Sequence, residues 1–305
     1  MIVVVCPGQG SQTPGFLSPW LAEQRFADHL AALSDAASMD LAAHGTTSNA
    51  DTIRDTAVAQ PLIVAAGLLT LAALLEGRRH RIGGVAGHSV GEVTAAAAAG
   101  ILSETDAMTL VRERGSAMAS AAALEPTGMS AVIGAEEHEL LERLAELGLE
   151  PANFNGGGQI VVAGGLDALA ALTETPPTGA RVIPLQVAGA FHTRYMSPAV
   201  ARLSTVAAGI PKQDPTLPIW TNHDGTLVPS GTAFIELLVG QVSSPVRWDM
   251  TMNAFAATGV TGLIEIAPAG ALVGLAKRGL KGVPTVAVKN PDDLSAAFDL
   301  IDGKS

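Results

Sequence analysis

The sequence predicts an α/β protein: a large α/β-hydrolase-like domain with a mostly parallel sheet, carrying a smaller ferredoxin-like domain as an insert. Three observations lead there. Short apolar, β-branched runs alternate with helical patterns along all 305 residues, the order expected of parallel-sheet folds. The pentapeptide Gly87-His88-Ser89-Val90-Gly91 stands between an apolar run at 84–86 and an alanine-rich stretch closed by Gly100, a strand–turn–helix setting. Residues 129–187 have a β-α-β-β-α-β order of their own, the rhythm of a ferredoxin-like unit.

The elements follow in order. Residues 2–5, Ile-Val-Val-Val, have no basic region before them and meet Pro7-Gly8 at once. They read as a first strand, not a signal peptide. Residues 62–75 form the longest apolar run, but it is 14 residues long and interrupted by Gly67 and Thr70. That length fits a buried helix rather than a membrane span. Residues 84–86, 218–221, 263–266 and 285–288 read as further strands of the main sheet. Ser103-Glu104-Thr105-Asp106 is a capping box that starts a helix at 104. Within the insert, strand 129–133, helix 136–147 and strands 151–154 and 159–163 around Asn155-Gly156-Gly157-Gly158 come first. Asp167 then caps a short helix to 172, and a strand at 181–187 closes the unit. Glu125-Pro126-Thr127-Gly128 and Ala188-Gly189 have the composition of hinges. The expected division is 1–125 and 189–305 for the main domain and 126–188 for the insert, with a site in the cleft between them.

Composition narrows the function. A net charge of −11 argues against a nucleic-acid backbone as partner, and 48% apolar content is ample for a core. Cys6, the single cysteine, excludes an internal disulfide and fits a reducing cytoplasm. Its place at a strand end suits a small buried hydrophobe. Two basic clusters, Arg78-Arg79-His80-Arg81 and Lys277-Arg278 with Lys281, read either as solvated helix ends or as docking points for an acidic partner.

Chemistry centres on Ser89. Glycines at 87 and 91 permit the strained turn that lifts a Ser hydroxyl above a sheet, and the following helix N-terminus can stabilise an oxyanion. A Ser hydroxyl needs a base. His192, in a loop between a strand and an amphipathic helix, is the best placed of seven histidines. His88 reads as a structural turn residue pointing away from Ser89; His29, His44, His80, His138 and His223 sit in polar surroundings and read as surface. Arg114 falls on the apolar stripe Ala107, Leu110, Val111, Met118 of its helix. A buried guanidinium requires a partner, and two remain open: an internal carboxylate or the carboxylate of a substrate. Pro7-Gly8-Gln9-Gly10-Ser11-Gln12 lacks the lysine of a P-loop and the spacing of a dinucleotide fingerprint, and suits a second oxyanion donor better. Neither a Cys/His cluster nor a His-Glu-x-x-His helix points to a metal.

Together these motifs resemble the malonyl-CoA:acyl-carrier-protein transacylases and the acyltransferase domains of polyketide synthases. The resemblance runs through Pro7–Gln12, Gly87–Glu92, Arg112-Glu113-Arg114-Gly115-Ser116-Ala117-Met118, Asn153-Phe154-Asn155, Gly189-Ala190-Phe191-His192, the segment from Gln241 to Trp248, and Glu265-Ile266-Ala267-Pro268. It implies a ping-pong malonyl transfer from malonyl-CoA to acyl carrier protein, in fatty-acid or polyketide synthesis. Ser89 would be the nucleophile, His192 the base, and the backbone carbonyl of Gln241 its orienting group. The N–H groups of Gln9 and Val90 would form the oxyanion hole. Arg114 would hold the malonate carboxylate; Met118, Phe191 and Asn155 complete the substrate-binding set, with Phe191 implying malonyl over methylmalonyl. The resemblance further implies a cytoplasmic monomer without cofactor or metal, with no membrane or nucleic-acid partner. Ala267-Pro268-Ala269-Gly270 departs from the family's common Gly-Pro-Gly. Two other readings compete: a hydrolase with Asp167 as third member of a triad, and a non-catalytic carrier-binding subunit.

Overall fold

The computed structural model describes residues 1–187 and 189–304; Ala188, half of one expected hinge, lies outside them. Ten strands run along the described chain: β1 (Ile2–Cys6), β2 (Ile82–Gly87), β3 (Thr127–Ile133), β4 (Glu150–Gly156), β5 (Gln159–Gly165), β6 (Arg181–Pro184), β7 (Ile219–Trp220), β8 (Val246–Arg247), β9 (Gly262–Glu265) and β10 (Thr285–Ala287).

The main sheet has the order β10-β9-β1-β2-β7 and every pairing in it is parallel. All five runs expected of it are therefore present, within a residue or two at each end. Its central strand carries Val3, Val4, Val5 and Cys6 fully or almost fully buried, the continuous apolar run of a strand covered on both faces. Because the strands are parallel, Cys6, Gly87, Trp220 and Glu265 all end at one edge, where α/β folds place their ligands. The apolar helix covering this sheet is Thr56–Leu75, six residues longer at its start than the apolar run suggests. The Asp55 carboxylate caps it by accepting from the Ala57 N–H at 2.8 Å. Its 20 residues could cross a membrane by length, yet the helix is almost wholly buried within the protein.

The second sheet has the order β6-β3-β5-β4-β8. Its first four strands pair antiparallel in the ferredoxin-like arrangement, and β8, from far along the chain, adds in parallel to β4 with Asn153 opposite Val246. Alternation gives this sheet two different faces. Val132 and Val162 pack with Leu140, Leu144, Leu169 and Leu172 of its two helices. Met129, Ala131, Asn153, Asn155 and Val161 point the other way and roof a cavity against the main domain. Two expectations are corrected here. Asp167 is not a helix cap: extended backbone persists through Gly165, which is itself the N-cap, and Asp167 is exposed in the first turn. The closing strand ends at Pro184 rather than 187, although the Leu185 N–H still donates to the Met129 carbonyl at 2.9 Å.

The turn after β2 brings backbones into close approach. A Cβ on Gly87 would fall 2.0 Å from the carbonyl carbon of Gly91, and one on Gly91 would fall 2.1 Å from the carbonyl oxygen of Cys6. Both obstacles are backbone and cannot rotate aside, so β1, β2 and the helix Gly91–Ala99 approach each other only through these glycines. Gly91→Ala is expected to lower stability by at least about 3 kcal/mol, at the upper end of overpacking penalties. Chemical denaturation of the purified variant checks this; wild-type stability would contradict the close approach.

Candidate active site

At that turn Ser89 adopts φ +54°, in the left-handed region. Its hydroxyl Oγ lies 2.7 Å from Nε2 of His192, which itself has φ +63°. His192 Nδ1 is 2.8 Å from the backbone carbonyl of Gln241. A carbonyl only accepts, so Nδ1 carries the proton and Nε2 is left as the acceptor for the Ser89 hydroxyl. The His192 N–H is fixed in turn by donation to the carbonyl of Val242 at 3.1 Å. Burial, reinforced by the charge of Arg114, pulls the His192 imidazole down to about 3. It is therefore neutral at physiological pH.

Arg114 is fully buried on the helix Glu104–Ala122, which starts at the Ser103 cap as its sequence predicts. Its partners are amides, not a carboxylate. Nη1 donates to Oε1 of Gln60 at 2.8 Å, and Nη2 donates to Oε1 of Gln241 at 2.7 Å. Nη2 also lies 3.4 Å from Ser89 Oγ, and Nε has no partner among the described residues. The nearest carboxyl group stands at one remove. Gln241 Nε2 donates to Oε2 of Glu92 at 2.6 Å, while Glu92 Oε1 accepts from the Asn222 N–H at 2.6 Å. Burial pushes the Glu92 carboxyl up, against the pull of those donors and of Arg114. Arg114 is lowered to about 10 by burial and stays cationic.

Ser89, His192 and Gln60 face a cavity of about 420 Å³, within the roughly 300–1,000 Å³ of small-molecule sites. Arg114, Gln241 and Glu92 lie behind its wall, with Arg114 reaching the cavity only through Ser89 and Gln60. Gln9, Ser89, Val90, Met118, Asn155, Phe191 and His192 all line it, so the fold brings the sequence-selected residues together. The backbone N–H groups of Gln9 and Val90 have no acceptor among the described residues. Asn155 spends its side chain within the protein: Oδ1 is 2.9 Å from Nε2 of His88, and Nδ2 donates to Oε1 of Gln159 at 3.0 Å. His88 thus lines the cavity as well and ties the elbow to the second sheet, rather than turning away from Ser89. Asp167 takes no part. The site of a triad acid, beside His192 Nδ1, is filled by the Gln241 carbonyl.

Among the surface histidines, His80, His138 and His223 are exposed while His29 and His44 are half-buried. Of the two basic clusters, Arg278 lines the solvent edge of the cavity. The other is engaged elsewhere: Arg81 pairs with Asp302, Arg79 bonds Thr216, and Arg78 stacks on Phe298. Sequence reasoning passed over Gln60 and Asn222, and took Glu92 as a helix former within a motif. Gln60 had a signal, being a lone amide at the start of a long apolar run; Asn222 had none beyond its place after a short strand.

Residues 3–292 match the acyl transferase domain family. The malonyl CoA-acyl carrier protein transacylase of Mycobacterium tuberculosis is 52% identical over 304 residues, covering 98% of this chain and all of that protein. The Escherichia coli enzyme of the same name is 33% identical, covering 97% and 98%. The crystal structure of the Mycobacterium tuberculosis MCAT superposes with a TM-score of 0.94 at 51% identity, covering 97% of this chain and 99% of that one. A malonyl-transacylase solved in complex with a holo type II PKS acyl-carrier protein does so with a TM-score of 0.91 at 30% identity, covering 98% and 99%. Matched end to end in sequence and in fold, this chain belongs to the acyl transferase domain family, among the malonyl CoA-acyl carrier protein transacylases.

Proposed function

We propose that this chain moves the malonyl group of malonyl-CoA to the phosphopantetheine thiol of an acyl carrier protein through a malonyl ester on Ser89, for fatty-acid or polyketide synthesis in the cytoplasm. One observation carries the reading: a buried, cationic Arg114, partnered by two neutral amides, lies 3.4 Å from the Ser89 hydroxyl. An acyl thioester with a free carboxylate is the substrate that such a pair selects. Its carbonyl meets the hydroxyl while its carboxylate meets the guanidinium.

In the first half-reaction Ser89 Oγ attacks the thioester carbonyl as its proton passes to His192 Nε2. The carbonyl electron pair moves onto oxygen, and the N–H groups of Gln9 and Val90 receive that oxyanion. The C–S bond then breaks, the sulfur leaves with the proton from His192, and CoA departs as the thiol. In the second half the carrier thiol gives its proton to His192 and attacks the Ser89 ester. The C–Oγ bond breaks and the proton returns to Oγ. Every proton and electron pair is supplied by these residues and the two thiols, so the cycle requires no cofactor or metal. Gln241 keeps His192 in one tautomer through its carbonyl, and Met118, Phe191 and Asn155 shape the acyl end. We assign 1–125 and 189–305 to the catalytic body and 126–188 to its roof. Lys277, Arg278 and Lys281, of which Arg278 lines the edge of the cavity, are the basic surface offered to an acidic carrier. The chain acts as a monomer.

Incubation with malonyl-CoA followed by intact-mass analysis should give an adduct of about 86 Da on Ser89, discharged by carrier protein and absent from Ser89→Ala. A hydrolase would release free malonate without needing a carrier, and a scaffold would give no adduct. The lowered pKa of His192 supplies a second expectation. Because its neutral form persists as pH falls through 6.5, the acid limb of the single-turnover acylation rate should have its midpoint at least about one unit below the ordinary histidine value. A midpoint at or above about 6.5 would show that another group, or an exposed imidazole, acts as the base.

A further inference from the structure

Asn222 is fully buried just beyond the end of β7, and its carboxamide spans the elbow. Oδ1 accepts from the Ser89 N–H at 2.7 Å, and Nδ2 donates to the carbonyl of Gly87 at 2.6 Å. The residue between those two backbone groups is His88, so one side chain grips the turn on both sides of its apex. Asn222 is itself fixed on both sides. Its N–H donates to Glu92, and its carbonyl accepts from the Arg247 N–H at 2.8 Å. The orientation of the amide is unambiguous, because a backbone N–H can only donate and a carbonyl can only accept.

We propose that Asn222 is a positioning residue for acyl transfer: it splints the strained turn that aims Ser89 Oγ at His192 Nε2. This rests on the reading of Ser89 as the nucleophile. A non-glycine residue at φ +54° persists where its surroundings over-determine it, and the bond to the Ser89 N–H acts at that residue's own backbone. The same bond keeps the Ser89 N–H turned away from the cavity, leaving the adjacent Val90 N–H as the donor from this turn. Asn222 does not line the cavity and touches neither Arg114 nor His192. Its Oδ1 also accepts from Gln241 Nε2 at 3.2 Å, but Gln241 is held more closely by Glu92 at 2.6 Å. The main contribution of Asn222 is therefore to the geometry of attack rather than to the hold on substrate.

The test separates rate from affinity. Single-turnover malonylation of Ser89 is timed by rapid quench and intact mass in the wild type and in Asn222→Ala. Malonyl-CoA affinity is measured in Ser89→Ala and in Ser89→Ala/Asn222→Ala. The expected result is a rate lower by about 10–100-fold, the scale of a sub-ångström to 1 Å misplacement. Affinity should stay within about twofold, and the pH midpoint of acylation should not move, since His192 keeps its partners. An unchanged rate, or a loss confined to affinity, overturns the proposal. If Asn222→Ala does not fold, the near-isosteric Asn222→Asp decides. It retains an acceptor for the Ser89 N–H but sets an oxygen against the Gly87 carbonyl, and wild-type acylation in that variant overturns the proposal. Exchange of the Ser89 amide in the wild type is a further check, with slow exchange expected; an unprotected amide there also overturns it. A wild type that forms no malonyl adduct refutes the proposed function itself, which is a different outcome from a variant acylating at full speed.

Discussion

The constraint on which the site depends is a positive charge buried without a carboxylate in contact. Removing a guanidinium from water is costly, and proteins ordinarily meet that cost with an ion pair. Here Gln60 and Gln241 present amide oxygens to Arg114, and Glu92, whose carboxyl burial pushes up to about 8, stands one hydrogen bond further away. Glu92 and the Asn222 side-chain oxygen draw the Gln241 amide nitrogen toward themselves, which turns its oxygen to the guanidinium. The charge is thus solvated and oriented, yet the strong bidentate interaction with a carboxylate is left for something else to make. In the proposed mechanism that partner is the malonyl group.

Gln241 joins this network to the chemistry. Its side chain bonds Arg114 and Glu92 while its backbone carbonyl fixes the tautomer of His192. The sheet supplies the convergence, since four parallel strands deliver their carboxyl ends to one edge. β1 leads into the Gln9 loop, β2 into Ser89, β7 into Asn222 and β9 into Glu265. Glu265 accepts from the N–H groups of Gly270, Leu272 and Val273 at 2.9–3.0 Å, and so seats the helix Ala271–Gly279 whose Leu272, Leu275 and Arg278 wall the cavity. Residues distant in sequence meet because parallel strands cannot do otherwise.

Much of this was legible in the sequence, and the reason differs from feature to feature. The elbow could be read because its requirement is local: glycines where backbones touch, an apolar run before and a helix former after. Arg114 could be found because helical periodicity places it on a buried stripe whatever packs against it. The same reading could not choose between an internal and an external carboxylate, since that depends on residues 54 and 127 positions away. Gln60 and Asn222 escaped for that reason; an amide's role is set by what it faces, and the facing groups come from other elements. The addition of β8 to the second sheet is equally non-local, a two-residue strand with no pattern to display. Asp167 misled because Asp before an apolar run is a common cap, whereas here extended backbone through Gly165 starts the helix two residues earlier.

The central claim is that Arg114 is held ready for a substrate carboxylate, not committed to the fold. The ratio of malonyl to acetyl transfer in Arg114→Ala, measured after its melting temperature has been matched against the wild type, tests it most directly. Loss of one partner of a buried charge pair costs about 3–5 kcal/mol, so malonyl transfer should fall by a factor on the order of 10²–10³ while acetyl transfer holds or rises. A ratio equal to that of the wild type, with both donors depressed alike, would contradict the account and return Arg114 to a structural role.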